Sequence, residues 1–201
     1  MSPKEELEQE RRQQILDAAE TVFSEQGFND ARMDDIVAES GLSKGALYWY
    51  YKSKDAITLA LLDRVFLAQM KTVEDFIDAE GSAEEKLRAF TRAAVTDIRH
   101  FERFMTLGYE FVALATRRKE VREKIKGYYR SYTEILAQII ETGIAEDEFD
   151  DVDPRKTALT IIGLYEGITL MWFVDPESID WDELTEAPLD MLLDGIRKKE
   201  S

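Results

Sequence analysis

Apolar residues return every three to four positions along most of this chain and almost nowhere alternate one in two, a spacing that predicts helices. Ile15, Leu16, Ala19, Val22 and Phe23 mark a first helix that stops at Gly27, with Phe28 folding back on it. The residues up to Glu10 are polar and read as a frayed lead-in. Met33 to Ser40 make a short second helix, and Gly41 permits the left-handed cap that ends it. Ser43 is placed to N-cap a third helix, and Ile36, Val37, Leu42 and Leu47 pin the second and third together. Ser53 then caps a long helix to about Ile77, with Ile57, Leu61, Val65, Phe66, Met70, Val73 and Phe76 on its apolar side.

Beyond Gly81 the same periodicity continues. Ser82-Ala83-Glu84-Glu85 is a capping box for a helix carrying Leu87, Phe90, Ala94, Val95 and Ile98. Further helices follow from about Phe101 to Ala115 and from Val121 to near Gly143, and the acidic run to Asp153 reads as a loop. Asp153-Pro154 opens a helix that is apolar nearly all round from Ala158 to Phe173, so burial on more than one face is expected. A last helix, about Pro188 to Lys198, offers Leu189, Leu192, Leu193 and Ile196. No strand pattern and no internal repeat occurs, and the fold class expected is all-α.

Two short helices around a glycine turn form a helix-turn-helix, whose second helix can enter the DNA major groove. Lys44 and Gly45 open that second helix, Tyr48, Trp49 and Tyr50 are too many aromatics for so short a helix to bury, and Lys52 and Lys54 follow. No acidic residue interrupts the span from Ser40 to Lys54. Such a surface suits phosphate positioning and contact with base edges; the plainer alternative is a core aromatic cluster beside solvated lysines. Arg11 and Arg12 are within reach of the same face, although solvated arginines are the simpler reading.

The run Ser43-Lys44-Gly45-Ala46-Leu47-Tyr48-x-Tyr50-Tyr51-x-Ser53-Lys54-Asp55 resembles the signature of the TetR (tetracycline repressor) family of bacterial transcriptional regulators. The resemblance is close from Ile15 to about Ile57. It implies an N-terminal three-helix DNA-binding domain, residues 1–53, and a C-terminal helical effector-binding and dimerisation domain, residues 54–201. It further implies DNA contacts from Ser43, Lys44, Gly45, Tyr48, Trp49 and Tyr50, and a phosphate held by Lys54. Tyr51 stands where the family usually has phenylalanine. Met33 stands where threonine is common, and its side chain cannot bond a phosphate.

Charge and composition sharpen the picture. The 201 residues carry a net charge of -16, which argues against a generic nucleic-acid binder and leaves DNA contact to one small basic face. There is no cysteine and one histidine, His100, so thiolate, Ser-His and paired Glu-x-x-His metal designs have no residues to use. Asp97-x-x-His100 alone makes no site, and neither an enzyme, a metal nor a cofactor is expected. The charged N-terminus lacks a signal peptide, and the apolar run from Ala158 to Val174 is shorter than a bilayer span and holds Glu166; a cytoplasmic protein without membrane contact is expected.

For the C-terminal domain, the family resemblance implies a small-molecule pocket. Its candidate liners are Phe66, Met70, His100, Phe104, Tyr109, Phe111, Tyr128, Tyr132, Tyr165 and Trp172, with Glu166 as a carboxylate for a cationic, lipophilic effector. Many of these aromatics are expected to be core. Gly163 and Gly167, four residues apart, would admit a close helix; with Ile161, Leu164, Leu189, Leu192, Leu193 and Ile196 they are the candidate homodimer surface. The function expected is a ligand-responsive regulator, by default a repressor released from a near-palindromic double-stranded operator. An effector-dependent activator and a protein-interaction module without DNA binding remain the alternatives.

Overall fold

The computed structural model describes residues 2–64, 80–100, 102–180 and 183–198, with the side chains of 94–100, 102–106 and 183–185 excepted. Its helices are α1 (Pro3–Asp30), α2 (Met33–Ser40), α3 (Lys44–Tyr50), α4 (54–64), α5 (Ala83–His100), α6 (Glu102–Ala115), α7 (Lys119–Ala145), α8 (Pro154–Val174) and α9 (Glu183–Ile196). An all-α protein is what the periodicity predicted. Among the described residues the sole strand-like feature is an isolated antiparallel bridge between Phe149 and Arg197.

The chain divides into two compact units, Met1–Leu67 with Glu102–Glu123, and Ala68–Phe101 with Lys124–Ser201. In the first unit α1 packs on both α2 and α6. Ile15, Ala19, Phe23, Ile36, Leu47, Ile57, Leu61 and Leu62 are buried, so the apolar stripes of the first four helices face inward as their spacing requires. The polar start is no frayed lead-in. Ser2 Oγ accepts from Glu5 N and the Glu5 carboxylate accepts from Ser2 N at 2.7 Å, a capping box with Pro3 at the first helical position. At Gly27 (φ +74°) α1 kinks rather than ends, and Phe28 tucks under it against Phe23, ring centroids 5.2 Å apart.

The second unit is built around one apolar cluster from α5, α7, α8 and α9, including Leu87, Phe90, Leu136, Ile140, Ala158, Ile161, Leu189 and Leu193. Gly143 does not stop α7, which runs on to Ala145; it makes room instead. A Cβ there would collide with the Phe149 ring and lie 2.8 Å from the Ala83 Cβ. The acidic run after α7 is a loop, as expected, with Glu146, Asp147, Asp151 and Asp153 exposed, but its centre is anchored. Phe149 is buried, Asp150 N donates to Ile196 O at 2.8 Å, and the Glu148 carboxylate caps α5 by accepting from Ala83 N at 3.0 Å and Glu84 N at 3.3 Å. Placing an anion on a helix N-terminus satisfies orphan donors, which explains where one of those acids goes.

Helices α5 and α9 are also clasped by charge. Arg88 reaches Glu84 at 3.0 Å and Asp190 at 2.6 Å, Arg92 meets Glu186 at 2.6 Å, and Arg197 closes on Glu84 at 2.9 Å. Burial raises the Glu84 carboxyl, but hydrogen bonds from Arg197 and Arg88 outweigh it and hold its pKa below 4.5. Helix α9 starts at Glu183, before the expected Pro188, which lies inside it.

Candidate DNA interface and effector region

The helix-turn-helix is assembled by local chemistry that its sequence spells out. Gly41 takes the left-handed conformation (φ 66°) that ends α2, and Ser43 Oγ accepts from Ala46 N at 3.2 Å to start α3. Met33 cannot cap α2; Asp35 does so in reverse, its carboxylate accepting from Arg32 N at 2.8 Å. Gln14 of α1 donates to Ser40 O at 2.7 Å, tying the supporting helix to the turn. Leu47 is fully buried, so the opposite side of α3 is presented outward.

That outward side carries the expected DNA-contacting residues. Ser43, Lys44, Gly45 and Trp49 are exposed, Trp49 by 61%, and Tyr48 and Tyr50 are half-buried. Trp49 and Tyr50 meet edge to face at 4.6 Å, which fixes both rings. Lys44 pairs with Asp34 at 2.6 Å, and Asp34 raises its pKa through that hydrogen bond. Both partners are exposed, so the pair is screened by salt and a phosphate can replace it.

The other two lysines are used differently. Lys52 donates to Tyr48 O at 2.7 Å and to Trp49 O at 3.4 Å, closing the C-terminal end of α3. Lys54 does not stand free at a phosphate-binding position: its ammonium donates to Phe28 O, Ala31 O and Asn29 O at 2.5, 2.8 and 3.2 Å. Burial lowers its pKa. Arg12 is exposed, as read from sequence, and pairs with Glu8 at 3.0 Å, while its guanidinium also lies 5.6 Å from the ring centroids of both Tyr50 and Tyr51. The spacing held that signal, since residues 12, 15, 16 and 19 share one face of α1.

The candidate effector liners fall partly outside the described residues and partly in each of the two units. Phe66 and Met70 lie outside the described residues, as do the side chains of Asp97, His100 and Phe104. Phe111 is buried and Tyr109 half-buried, both in the first unit. Tyr132 and Tyr165 pack on the apolar cluster of the second unit, where Tyr128 and Trp172 are half-buried. Burial pushes Tyr165 up to about 12, against a hydrogen bond with Thr91. An open cleft of about 540 Å³ lies elsewhere, lined by polar residues of α1 and α2 such as Glu10, Asp17 and Glu39.

Helix α8 departs furthest from expectation. Ile161, with Leu189, Leu193 and Ile196 of α9, belongs to the chain's own core, because these residues lie on the inward stripe; they are not available to a second copy. Leu164 and Leu192 are half-buried. Gly163 and Gly167 are exposed, in line with Leu159, Glu166, Leu170 and Val174 on one helical face. Met171 flanks that face, and Met191 of α9 is 79% exposed. Glu166 therefore sits in an outward apolar stripe rather than an interior pocket. It accepts from Tyr129 Oη at 3.1 Å, and desolvation by its surroundings raises its pKa.

Comparison with known proteins decides the family. Residues 15–61 match the family of bacterial regulatory proteins, tetR family, and residues 83–196 match the BetI-type transcriptional repressor C-terminal family. The chain is a TetR-family transcriptional regulator. This regulator is 27% identical over 193 residues to the fatty acid metabolism regulator protein of Bacillus subtilis, covering 92% of this chain and 95% of that one. It is also 27% identical over 197 residues to the regulator TtgR of Pseudomonas putida, covering 94% and 92%. Among solved structures it resembles the transcriptional regulator FadR from Bacillus subtilis in complex with stearoyl-CoA, at TM-score 0.79 and 25% identity over 92% of this chain and 98% of that one. A complex of SmeT, a Stenotrophomonas maltophilia efflux-pump repressor, with triclosan has the same fold at TM-score 0.83 and 24% identity, covering 94% and 92%. The relatives are named as regulators, and no enzyme family is indicated.

Proposed function

We propose that this regulator is a cytoplasmic repressor that binds a near-palindromic operator as a homodimer and is released by a small lipophilic effector. The observation that carries the DNA half is the outward face of α3, where exposed Lys44, Gly45 and Trp49 stand on a scaffold capped at both ends. Lys44 and the Ser43 region position the protein on phosphates, and Tyr48, Trp49 and Tyr50 contact base edges and thymine methyls. Residues 1–53 supply this reading head, and 54–201 hold effector and partner.

The exposed stripe of α8 supports the dimer. Only 17% of the helix's most apolar window is buried, while Val174 and Met171 are 74% and 62% exposed. A contiguous apolar surface of this kind marks an interaction site, and a homodimer formed there would offer two α3 helices to half-sites one DNA turn (~34 Å) apart. The lipophilic class of effector is favoured by the likeness to a fatty acid metabolism regulator and to a structure holding stearoyl-CoA. Effector binding shifts the population toward a state with a different half-site separation, and operator affinity falls by the coupling free energy.

Selection of genomic fragments by the purified protein at physiological salt tests the proposal, with Lys44→Ala alongside. A near-palindromic site enriched by the unaltered protein, depleted in the variant and released by long-chain acyl compounds is expected. Enrichment only when a metabolite pool is added would establish an effector-dependent activator instead. No enrichment under either condition would rule out DNA binding as the function.

A further inference from the structure

A lysine at the start of the helix that follows a recognition helix is well sited for a phosphate, yet Lys54 has its donors committed elsewhere. Its ammonium has three N–H groups, and Phe28 O, Ala31 O and Asn29 O accept at 2.5, 2.8 and 3.2 Å. These carbonyls lie just beyond the kink at Gly27, where α1 leaves its carbonyls without regular helical partners. The same ammonium is 4.5 Å from the centroid of the Phe28 ring, which is itself buried against Phe23. Arg118, in the turn between α6 and α7, approaches that ring at 5.9 Å and pairs with Asp55, the neighbour of Lys54.

We infer that Lys54 is a positioning residue, which fixes the first turn of α4 to the end of α1 and makes no phosphate contact, with Arg118 completing the junction through Asp55. The inference rests on the operator-binding reading above. Turning Lys54 toward DNA would leave three carbonyls without their donor and strip a cation from the Phe28 ring, whereas Lys44 reaches a phosphate by opening one exposed pair. Lys54 thus acts through the orientation of the helix-turn-helix on its support.

The test is operator affinity against salt for the unaltered protein, Lys54→Met, Lys54→Arg, Arg118→Gln and Lys44→Ala, each confirmed as folded by circular dichroism. Loss of a phosphate contact lowers the slope of log K against log salt by about 0.9 per half-site. The expected result is that Lys44→Ala lowers the slope in this way, while Lys54→Met and Arg118→Gln bind about tenfold more weakly at every salt concentration with slope unchanged. Lys54→Arg should fare no better than Lys54→Met, since a planar guanidinium keeps the charge but cannot serve three converging carbonyls. Slope loss in Lys54→Met with full rescue by arginine overturns the inference while leaving the regulator intact. So does a lower unfolding midpoint with operator affinity untouched, which would make Lys54 a purely structural residue. If the lysine variants do not fold, Arg118→Gln decides: unchanged affinity overturns the inference. An unaltered protein with no operator overturns the regulator reading and the inference with it.

Discussion

Gly45 is the second residue of α3, and a Cβ built on it meets nothing within 4 Å. No left-handed backbone and no intrachain contact requires glycine there, so close approach of DNA is the remaining use for it. Gly45→Ala should therefore leave the unfolding midpoint unchanged or add about 0.4–1 kcal/mol of stability, while operator binding weakens by about tenfold. Thermal unfolding and a binding titration separate the two effects, and undiminished affinity would remove Gly45 from the interface. Lysines at this scale could not be sorted by type. Lys44, Lys52 and Lys54 look alike in a basic run, yet the first is exposed beside Asp34, the second closes α3 and the third is held at the end of α1.

Helix ends were legible where the caps are local. Gly41, Ser43 and the Asp153-Pro154 start behave as their types dictate, and Ser2-Pro3-x-Glu5 carried a capping signal that the polar composition around it obscured. Pairing between elements was not legible: Arg88 and Glu84 are neighbours one turn apart on α5, but Arg197 reaches the same carboxylate, and Arg88 reaches Asp190, from positions that no short-range rule connects. This clasp has a pH signature. Glu84 has its pKa depressed in the folded chain, so its contribution is in place above the ordinary value of 4.5 and is lost as pH falls through the lower folded value. Arg88→Met should cost about 1 kcal/mol at neutral pH and show a shallower loss of stability between about pH 5 and pH 3. Urea midpoints across that range measure it; parallel pH profiles for the two proteins would show that Glu84 does not report on the clasp.

For the whole molecule the deciding surface is the outward stripe of α8. Because Met171 and Val174 are exposed in the single chain, charging them leaves its core untouched. Met171→Glu with Val174→Glu should give a folded chain that sediments as a monomer and binds its operator at least tenfold more weakly, because two half-sites are no longer held together. A double variant that sediments as a dimer would move the subunit contact elsewhere.

The sequence by itself determined the helical class, the turn chemistry of the helix-turn-helix and the family, because periodicity, caps and the run from Ser43 to Asp55 are properties of neighbours along the chain. Only the tertiary structure decided which apolar residues of α8 and α9 face inward and where each lysine spends its donors. An all-round apolar helix has no polar stripe to reveal its orientation. An ammonium or a carboxylate takes its partner from whatever the fold brings within about 3 Å, and Phe28 with Lys54, or Glu148 with the start of α5, are close only once the chain has folded.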